Sequence, residues 1–321
     1  MTRFFLSVLL LTATTANAAS FPVITNVATE SVQFTYEDQF DSKKVILPGL
    51  LLKPDHPPPW NLVLLASNCA GLDDRFWTKI GPDLLKRNFA VIFLDAYTPR
   101  GFRSACENQF NYKFVQRIAD PKAVISQLRT DNRFRKIALG GHSVGAIVSF
   151  LAAFKQSSTY VSSDKTADYD AFFAVAPSCE ISFRESALGN PLLVIVGEKD
   201  DWTLPGPCIE QADRLRKSNQ PVDILVVPNA NHEMSTYGSR FNSKLMKFPK
   251  GPSLYADRFD KKEKLAIFVL ENGEEITVQR YMSRFGGFLG SGMYGAHLGG
   301  DWDAYPAVRD RIIKFLTEHG F

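Results

Sequence analysis

The chain has 321 residues, of which 45% are hydrophobic and 22% are charged, an ordinary composition for a globular protein. Its formal net charge is +3, and its charges form no basic stripe or run of one sign. This argues against nucleic acid or an anionic membrane surface as the partner. We therefore expect a small-molecule partner, and the length allows one large core or two modest ones.

Residues 1–18 predict a signal peptide. Arg3 supplies the positive start, FFLSVLLL supplies the apolar run, and Ala16 to Ala18 form a small-residue cleavage site. No segment approaches the roughly 18 apolar residues that a membrane span needs. We expect a single domain over 19–321, exported to the periplasm or secreted, without stable membrane insertion. An uncleaved N-terminal anchor is the alternative.

The following chain alternates strand and helix patterns. Strands are predicted at 43–53, 61–67, 89–95, 136–141, 171–176, 191–197 and 223–227, and helices at 73–88, 114–129, 143–154 and 208–218. Several strands are apolar throughout, which is typical of strands buried on both faces of a parallel sheet. The alternation predicts an α/β fold with a mostly parallel central sheet and helices on both faces. Ligands bind such sheets outside the carboxyl ends of the strands.

A sharp turn is predicted where strand 136–141 runs directly into an apolar helix through Gly141-His142-Ser143-Val144-Gly145. Such a turn leaves little room for side chains two residues before and after the serine, and glycine fits there. It exposes the Ser143 hydroxyl and directs the first free N–H of the helix, that of Val144, toward an oxyanion. Ser143 is therefore a candidate nucleophile, and a small residue in a tight turn is the alternative.

Two more groups for chemistry follow later predicted strands. Asp200 and Asp201 follow strand 191–197, and His232 follows strand 223–227. Serine needs a base to remove its proton, and a carboxylate must orient that base. The chain order Ser143, Asp200 or Asp201, then His232 is that of the α/β-hydrolase triad. His297, in a glycine-rich segment, is a weaker candidate because no predicted strand leads into it.

An acyl-transfer site also needs two donors for the oxyanion. We assign them to the backbone N–H groups of Val144 and of Cys69, in the loop after strand 61–67. We expect His142 to point into packing. The four cysteines show no C-x-x-C spacing, and we expect neither a metal nor an organic cofactor.

Four motifs together, SNCAGL, GHSVGA, GEKDDW and PNANH, resemble the dienelactone hydrolase family of α/β-hydrolases. The resemblance covers residues 45–235 and resumes at 305–321. It implies an α/β-hydrolase fold with Ser143, Asp200 and His232 as the triad. The family's glycine-to-aspartate spacing favours Asp200, which leaves Asp201 as a solvated or helix-capping residue. Dienelactone hydrolase itself uses a cysteine nucleophile, so the serine here resembles the esterase-type members.

The segment 233–303 departs from the family, where the connection is much shorter. Within it we predict a β-hairpin at 264–282, whose Asn272-Gly273 pair suits a tight turn with positive φ at both residues. Because the segment follows His232 directly, one hypothesis is a lid or wall over the active site. The other is structural decoration or a dimerisation hairpin that would form a homodimer.

An even number of cysteines suits an oxidising compartment. We expect Cys179 to pair with Cys208, because both lie just beyond adjacent strand ends of the predicted sheet. Cys69 with Cys106 would follow for the same reason, unless those two remain free.

The sequence thus predicts an exported serine hydrolase that cleaves a carboxylic ester or lactone through an acyl-enzyme. A peptidase or acyltransferase with the same triad is an alternative, because the acceptor is selected by the walls of the pocket. A non-catalytic binding protein on the same fold is another.

Overall fold

The computed structural model describes residues 21–38, 43–106, 112–160, 167–185, 187–234, 241–242, 253–260, 265–285, 296–298 and 304–321. The predicted signal peptide lies outside these ranges. Among the helices within them, none is long and apolar enough to cross a membrane.

Strands make up most of the framework. They are β1 Ala28–Asp38, β2 Lys43–Lys53, β3 Trp60–Ala66, β4 Phe89–Leu94, β5 Phe134–His142, β6 Ala171–Val175, β7 Ile181–Phe183, β8 Leu192–Gly197, β9 Val222–Val227, β10 Phe241–Asn242, β11 Leu254–Asp260, β12 Leu265–Val269, β13 Glu275–Thr277 and β14 His297–Leu298. The helices are α1 Arg75–Leu85, α2 Phe114–Leu128, α3 Val144–Ala152, α4 Pro205–Lys217, α5 Val278–Phe285 and α6 Ala304–Glu318.

The central sheet, as far as the structure describes it, has eight strands in the order β1-β2-β4-β3-β5-β6-β8-β9. Strands β1, β2 and β4 are antiparallel neighbours, and every pairing from β4 to β9 is parallel. The predicted mostly parallel sheet is therefore confirmed. Strand β1 was missed, and the predicted bounds of the other strands differ from the observed ones by at most two residues.

Helices cover both faces of this sheet. Alternate residues of β3 point to opposite sides: Leu62 and Leu64 belong to the hydrophobic cluster that includes residues of α2, α3 and α4, whereas Val63 and Leu65 belong to the cluster that includes residues of α1 and α6. The inner strands are buried on both faces, which explains why their sequences are apolar throughout.

A second sheet, which we call the insertion sheet, has the order β13-β12-β11-β7. Three of its strands come from the predicted insertion, and β7 comes from the chain just after β6, pairing parallel to β11 through Ile181 and Leu254. Phe268 of β12 packs edge-on against Phe114 at the start of α2, with ring centroids 4.9 Å apart. The insertion sheet is therefore fixed to the body of the protein at two places.

The predicted hairpin at 264–282 is too long. Strands β12 and β13 do pair antiparallel, but the second strand ends at Thr277 and helix α5 follows. The Thr277 hydroxyl accepts a hydrogen bond from the Arg280 N–H at 3.2 Å, which caps that helix and stops the strand.

The turn of this hairpin also differs from the prediction. Gly273 has φ +87°, whereas Asn272 has a negative φ. The N–H of Leu270 bonds to the carbonyl of Glu274 at 2.9 Å, and the N–H of Gly273 bonds to the carbonyl of Leu270 at 2.9 Å. The loop therefore has three residues and ends in a left-handed glycine, so positive φ is needed once and not twice.

Candidate active site

The predicted turn between β5 and α3 is present. Ser143 has φ +55° and ψ −117°, a strained positive-φ conformation that costs a non-glycine residue about 1–3 kcal/mol. Its backbone is held by two bonds of 2.9 Å, from its N–H to the carbonyl of Val175 and from the N–H of Ile147 to its own carbonyl. A Cβ atom on Gly145 would lie 2.1 Å from the Ala66 carbonyl oxygen, so only glycine fits against the end of β3.

Three side chains from distant parts of the chain meet at the carboxyl edge of the sheet. The Nε2 atom of His232 lies 2.9 Å from Ser143 Oγ, and its Nδ1 atom lies 2.8 Å from Asp200 Oδ2. All three residues are buried. An imidazole in this position can take the serine proton, and the carboxylate fixes the proton of the neutral imidazole on Nδ1.

Hydrogen bonds fix the Asp200 carboxylate. Its Oδ1 atom accepts from the N–H groups of Trp202 and Thr203, each at 2.9 Å, and its Oδ2 atom accepts from the Thr203 hydroxyl at 2.8 Å. These bonds orient the second oxygen toward His232 and satisfy a charge that is fully buried.

The charges around His232 change its affinity for protons. Burial opposes protonation, but the charge and hydrogen bond of Asp200, with the charges of Glu233 and Asp201, outweigh it and raise the pKa of His232 above its ordinary 6.5. The Asp200 carboxylate therefore stabilises the protonated form of the His232 imidazole.

Asp201 takes a different partner from its neighbour, one that its interpretation as a solvated or helix-capping residue did not include. It accepts two hydrogen bonds from His297 of β14, from the backbone N–H at 2.8 Å and at Nδ1 at 2.6 Å. His297 is thus bound to Asp201, 96 positions away in the chain. The contact joins the far end of the insertion to the loop that carries Asp200.

His142 is more than a packing residue. It is buried, and its Nε2 atom lies 3.0 Å from the backbone carbonyl of His232. Its ring lies 5.7 Å from the Phe76 ring. Burial, followed by the nearby positive charge of protonated His232, lowers the pKa of His142 to about 4. The strand-end rule identified His232 but gave no signal for this contact.

The loop after β3, which contains Cys69, is tightly braced. The Asp74 carboxylate accepts from the backbone N–H of Asn68 at 2.8 Å and from its side-chain amide at 3.0 Å. The Cys69 carbonyl accepts from the N–H of Ala105 at 2.7 Å. Val144, at the first position of α3, presents an N–H that has no partner inside the helix. Because the end of β3 touches Gly145, the Cys69 loop begins beside this helix terminus.

Both expected cysteine pairs are disulfide-bonded in the structure. Cys69 bonds to Cys106 with a Cα–Cα distance of 4.7 Å, and Cys179 bonds to Cys208 with a Cα–Cα distance of 4.9 Å. The first joins the Cys69 loop to the region after β4, and the second joins the region after β6 to helix α4.

Glu180 is a buried acid that the sequence did not single out. It follows β6, and its carboxylate is hydrogen-bonded to the Ser178 hydroxyl through one oxygen, while the other has no partner among the described residues. Burial raises the pKa of Glu180 to about 7. Its backbone carbonyl accepts from the Leu254 N–H at 2.7 Å, so it lies where the central sheet meets the insertion sheet.

The strand order, the turn between β5 and α3, and the order of serine, acid and histidine along the chain belong to one fold. The chain has the α/β-hydrolase fold. Residues 159–250 match the model of the prolyl oligopeptidase family, Peptidase_S9. The matched part of the chain contains Asp200 and His232 and begins after Ser143. No curated protein matches the chain.

Several solved structures are similar to this chain. A dienelactone hydrolase-like promiscuous phosphotriesterase from metagenomic libraries is 14% identical with a TM-score of 0.49, covering 65% of this chain and 85% of its own. An esterase from Pyrococcus furiosus is 18% identical with a TM-score of 0.45, covering 64% and 85%. A CE1 ferulic acid esterase from Anaeromyces mucronatus is 17% identical with a TM-score of 0.45, covering 65% and 86%.

Within the described part of the chain, no group of three or more histidine, cysteine, aspartate or glutamate side chains is arranged to hold a metal ion. The chemistry that the Ser143, His232 and Asp200 side chains offer is proton transfer and nucleophilic attack by an activated hydroxyl.

Proposed function

We propose that this protein is an exported serine hydrolase that cleaves a carboxylic ester or lactone through an acyl-enzyme. The proposal rests on one observation, the continuous hydrogen-bonded chain from Ser143 Oγ through the His232 imidazole to Asp200. Each link has the length and the burial that the chemistry requires.

In the first half of the reaction, His232 Nε2 takes the proton of the Ser143 hydroxyl as Oγ attacks the carbonyl carbon of the substrate. The carbonyl oxygen becomes an oxyanion, which accepts hydrogen bonds from the backbone N–H groups of Cys69 and Val144. The bonds that brace the Cys69 loop hold one donor in place before the charge develops, so little reorganisation is needed at that moment.

The tetrahedral intermediate then collapses. Protonated His232 donates its Nε2 proton to the departing alcohol, the bond to the leaving group breaks, and the acyl group stays on Ser143 Oγ. In the second half, water replaces the alcohol: His232 takes a proton from it as its oxygen attacks the acyl carbon. The bond between that carbon and Ser143 Oγ then breaks, His232 returns the proton to Oγ, and the carboxylic acid leaves. Asp200 keeps its charge throughout and stabilises the imidazolium.

Two features support export. Both disulfides lie within the described chain, and disulfides persist in oxidising compartments. The N-terminal pattern expected of a signal peptide agrees with them.

The insertion is proposed to form a wall or lid of the active site. The two hydrogen bonds between His297 and Asp201 support this role over a dimerisation hairpin, because they fasten the insertion to the residue next to Asp200. Deleting residues 261–284 and assaying short-chain esters tests it. Unchanged kcat and KM would refute the wall or lid, and a fall in mass to a monomer in solution would favour the dimerisation hairpin.

A panel of p-nitrophenyl esters of increasing acyl length, assayed with the wild type and with Ser143→Ala, tests the proposed function. We expect turnover of at least one short ester by the wild type and its loss in a folded Ser143→Ala variant. Retained turnover in the variant would refute the mechanism. Because a segment matches a peptidase family, the panel includes aminoacyl p-nitroanilides, and a preference for these would make the protein a peptidase.

A further inference from the structure

Two adjacent residues, His142 at the end of β5 and Ser143 in the turn that follows, contact the same histidine. Ser143 Oγ lies 2.9 Å from His232 Nε2, and His142 Nε2 lies 3.0 Å from the His232 carbonyl oxygen. One contact engages the reactive end of His232, and the other engages its backbone. Because Ser143 and His142 are neighbours in the chain, the same segment of backbone determines where both of them contact His232.

The chemistry of the two groups fixes the direction of the second bond. A carbonyl oxygen only accepts, so His142 Nε2 carries the proton and donates it. The proton of neutral His142 is then on Nε2, and its Nδ1 atom has no partner within the described chain. Since burial and the neighbouring imidazolium lower the pKa of His142 to about 4, it stays neutral at the pH where His232 acts. A cation there would oppose the formation of the His232 imidazolium, whose ring centroid is 5.2 Å away.

The loop that carries His232 needs such support because of its place in the fold. It follows β9, which is the last strand of the central sheet and has a single strand neighbour, β8, within the described chain. Gly197 at the end of β8 lies against this loop, where an added Cβ would come within 2.5 Å of the Ala230 carbonyl oxygen. His142 reaches the loop from β5, three positions away in the sheet order, and supports it from the side of the nucleophile.

We propose that His142 is a positioning residue for the hydrolytic reaction, holding the backbone of His232 at the distance from Ser143 that proton transfer needs. This inference rests on the proposed function. His142 does not touch the substrate or exchange a proton with it. It acts through His232, which is then held at three points: at Nε2 by Ser143, at Nδ1 by Asp200 and at its carbonyl by His142.

Two variants of His142 separate the hydrogen bond from the packing. His142→Phe keeps a ring against Phe76 but has no donor. His142→Gln places an amide N–H at a reach similar to that of the lost Nε2–H. Since small displacements of a catalytic base lower the rate of the chemical step, we expect kcat to fall by about 10- to 100-fold in His142→Phe. We expect KM to change by less than about twofold and His142→Gln to recover kcat to within about threefold of the wild type.

The measurement is kcat and KM per active site, with active sites counted by titration with a fluorophosphonate. If His142 only stabilised the fold, its variants would contain more unfolded molecules but would keep the same kcat per active site. Counting active sites therefore separates this case from a positioning role. The acid limb of the pH profile should keep its midpoint in both variants, because His142 does not titrate there. If His142→Phe does not fold, His142→Asn takes its place, since its amide is too short to reach the carbonyl.

Equal kcat per site in the wild type and the donor-free variant would overturn the proposal, as would equal kcat in the Phe and Gln variants. A shifted acid limb would also overturn it, because His142 would then act through its charge. Failure of the proposed function itself gives a different result, which is turnover that survives in Ser143→Ala.

Discussion

Replacing Asp200 with asparagine tests the proposed role of its charge without removing its shape. The amide carbonyl of the new side chain would keep the hydrogen bonds that Oδ1 now accepts from the Trp202 and Thr203 N–H groups. The other atom becomes an NH₂ group, which donates and cannot accept the proton on His232 Nδ1. That proton then moves to Nε2, where it blocks the lone pair that must receive the Ser143 proton.

The size of the effect follows from this change of tautomer. His232 has its proton on the wrong nitrogen in the resting state, and its imidazolium loses a carboxylate 2.8 Å away. Loss of this charge in a triad lowers kcat by about 10⁴-fold in the best-studied serine protease. At about 1.36 kcal/mol for each tenfold change, a fall of 10³ to 10⁴ corresponds to about 4–5.5 kcal/mol of transition-state stabilisation.

Asp201→Asn is the matched control. It also converts a carboxylate to an amide, but at the next residue in the chain, whose carboxylate is hydrogen-bonded to His297 and not to His232. The assay is kcat for a p-nitrophenyl ester, with circular dichroism to confirm that each variant is folded. We expect a fall of at least about 10³ in Asp200→Asn and of less than about tenfold in Asp201→Asn. A large loss in Asp201→Asn with little loss in Asp200→Asn would refute the reasoning and make Asp201 the acid.

Three further predictions concern pH, stability and the disulfides. Because His232 must be neutral to take the Ser143 proton and its pKa is raised, kcat/KM should fall as pH drops through a midpoint above 6.5, and a midpoint below about 6 would contradict the geometry. Glu180 has its pKa raised from 4.5 to about 7, so its stabilising contribution is complete below pH 4.5 and is lost as pH rises through 7. We therefore expect the free energy of unfolding in urea of Glu180→Gln, relative to that of the wild type, to rise by up to about 3 kcal/mol between about pH 4.5 and pH 8. A difference between the two proteins that does not change with pH would contradict this. Replacing both Cys69 and Cys106 with serine should lower kcat about tenfold, because the oxyanion donor in the Cys69 loop is then held less firmly. Replacing both Cys179 and Cys208 with serine should lower the free energy of unfolding by about 2–4 kcal/mol and leave kcat within about threefold of the wild type. Equal effects of the two double substitutions on kcat would contradict this prediction.

The sequence predicted the parts of the site that follow from local rules. Gly141 and Gly145 flank Ser143 because side chains there would collide with neighbouring backbone, and such a requirement is visible in the sequence. His232 was found because it follows a strand, and the carboxyl ends of parallel strands share one edge of the sheet.

The sequence could not predict contacts that depend on distant parts of the chain. The bond from His142 to the His232 carbonyl spans 90 positions, and that from His297 to Asp201 spans 96. Each depends on how a loop or insertion packs in three dimensions. The parallel pairing of β7 with β11 has the same origin, because it joins the chain after β6 to the insertion.

Two elements that the sequence prediction lacked, helix α5 and strand β1, have local signals in the sequence. Helix α5 replaces the second half of the predicted hairpin, and Thr277 at its start is a residue type that caps helices. Strand β1 alternates exposed and more buried residues, the pattern of an edge strand with one face toward solvent. The alternation before residue 43 is thus a local signal for this strand.

Acylation of Ser143 is tested most directly by locating the covalent bond that it forms. The protein is mixed with a p-nitrophenyl ester, quenched in acid within the first turnovers, digested and analysed by peptide mass spectrometry. We expect the mass of the acyl group on the peptide that contains Ser143, and its absence in Ser143→Ala. An acyl group on another residue, or turnover without any acylated peptide, would contradict the account.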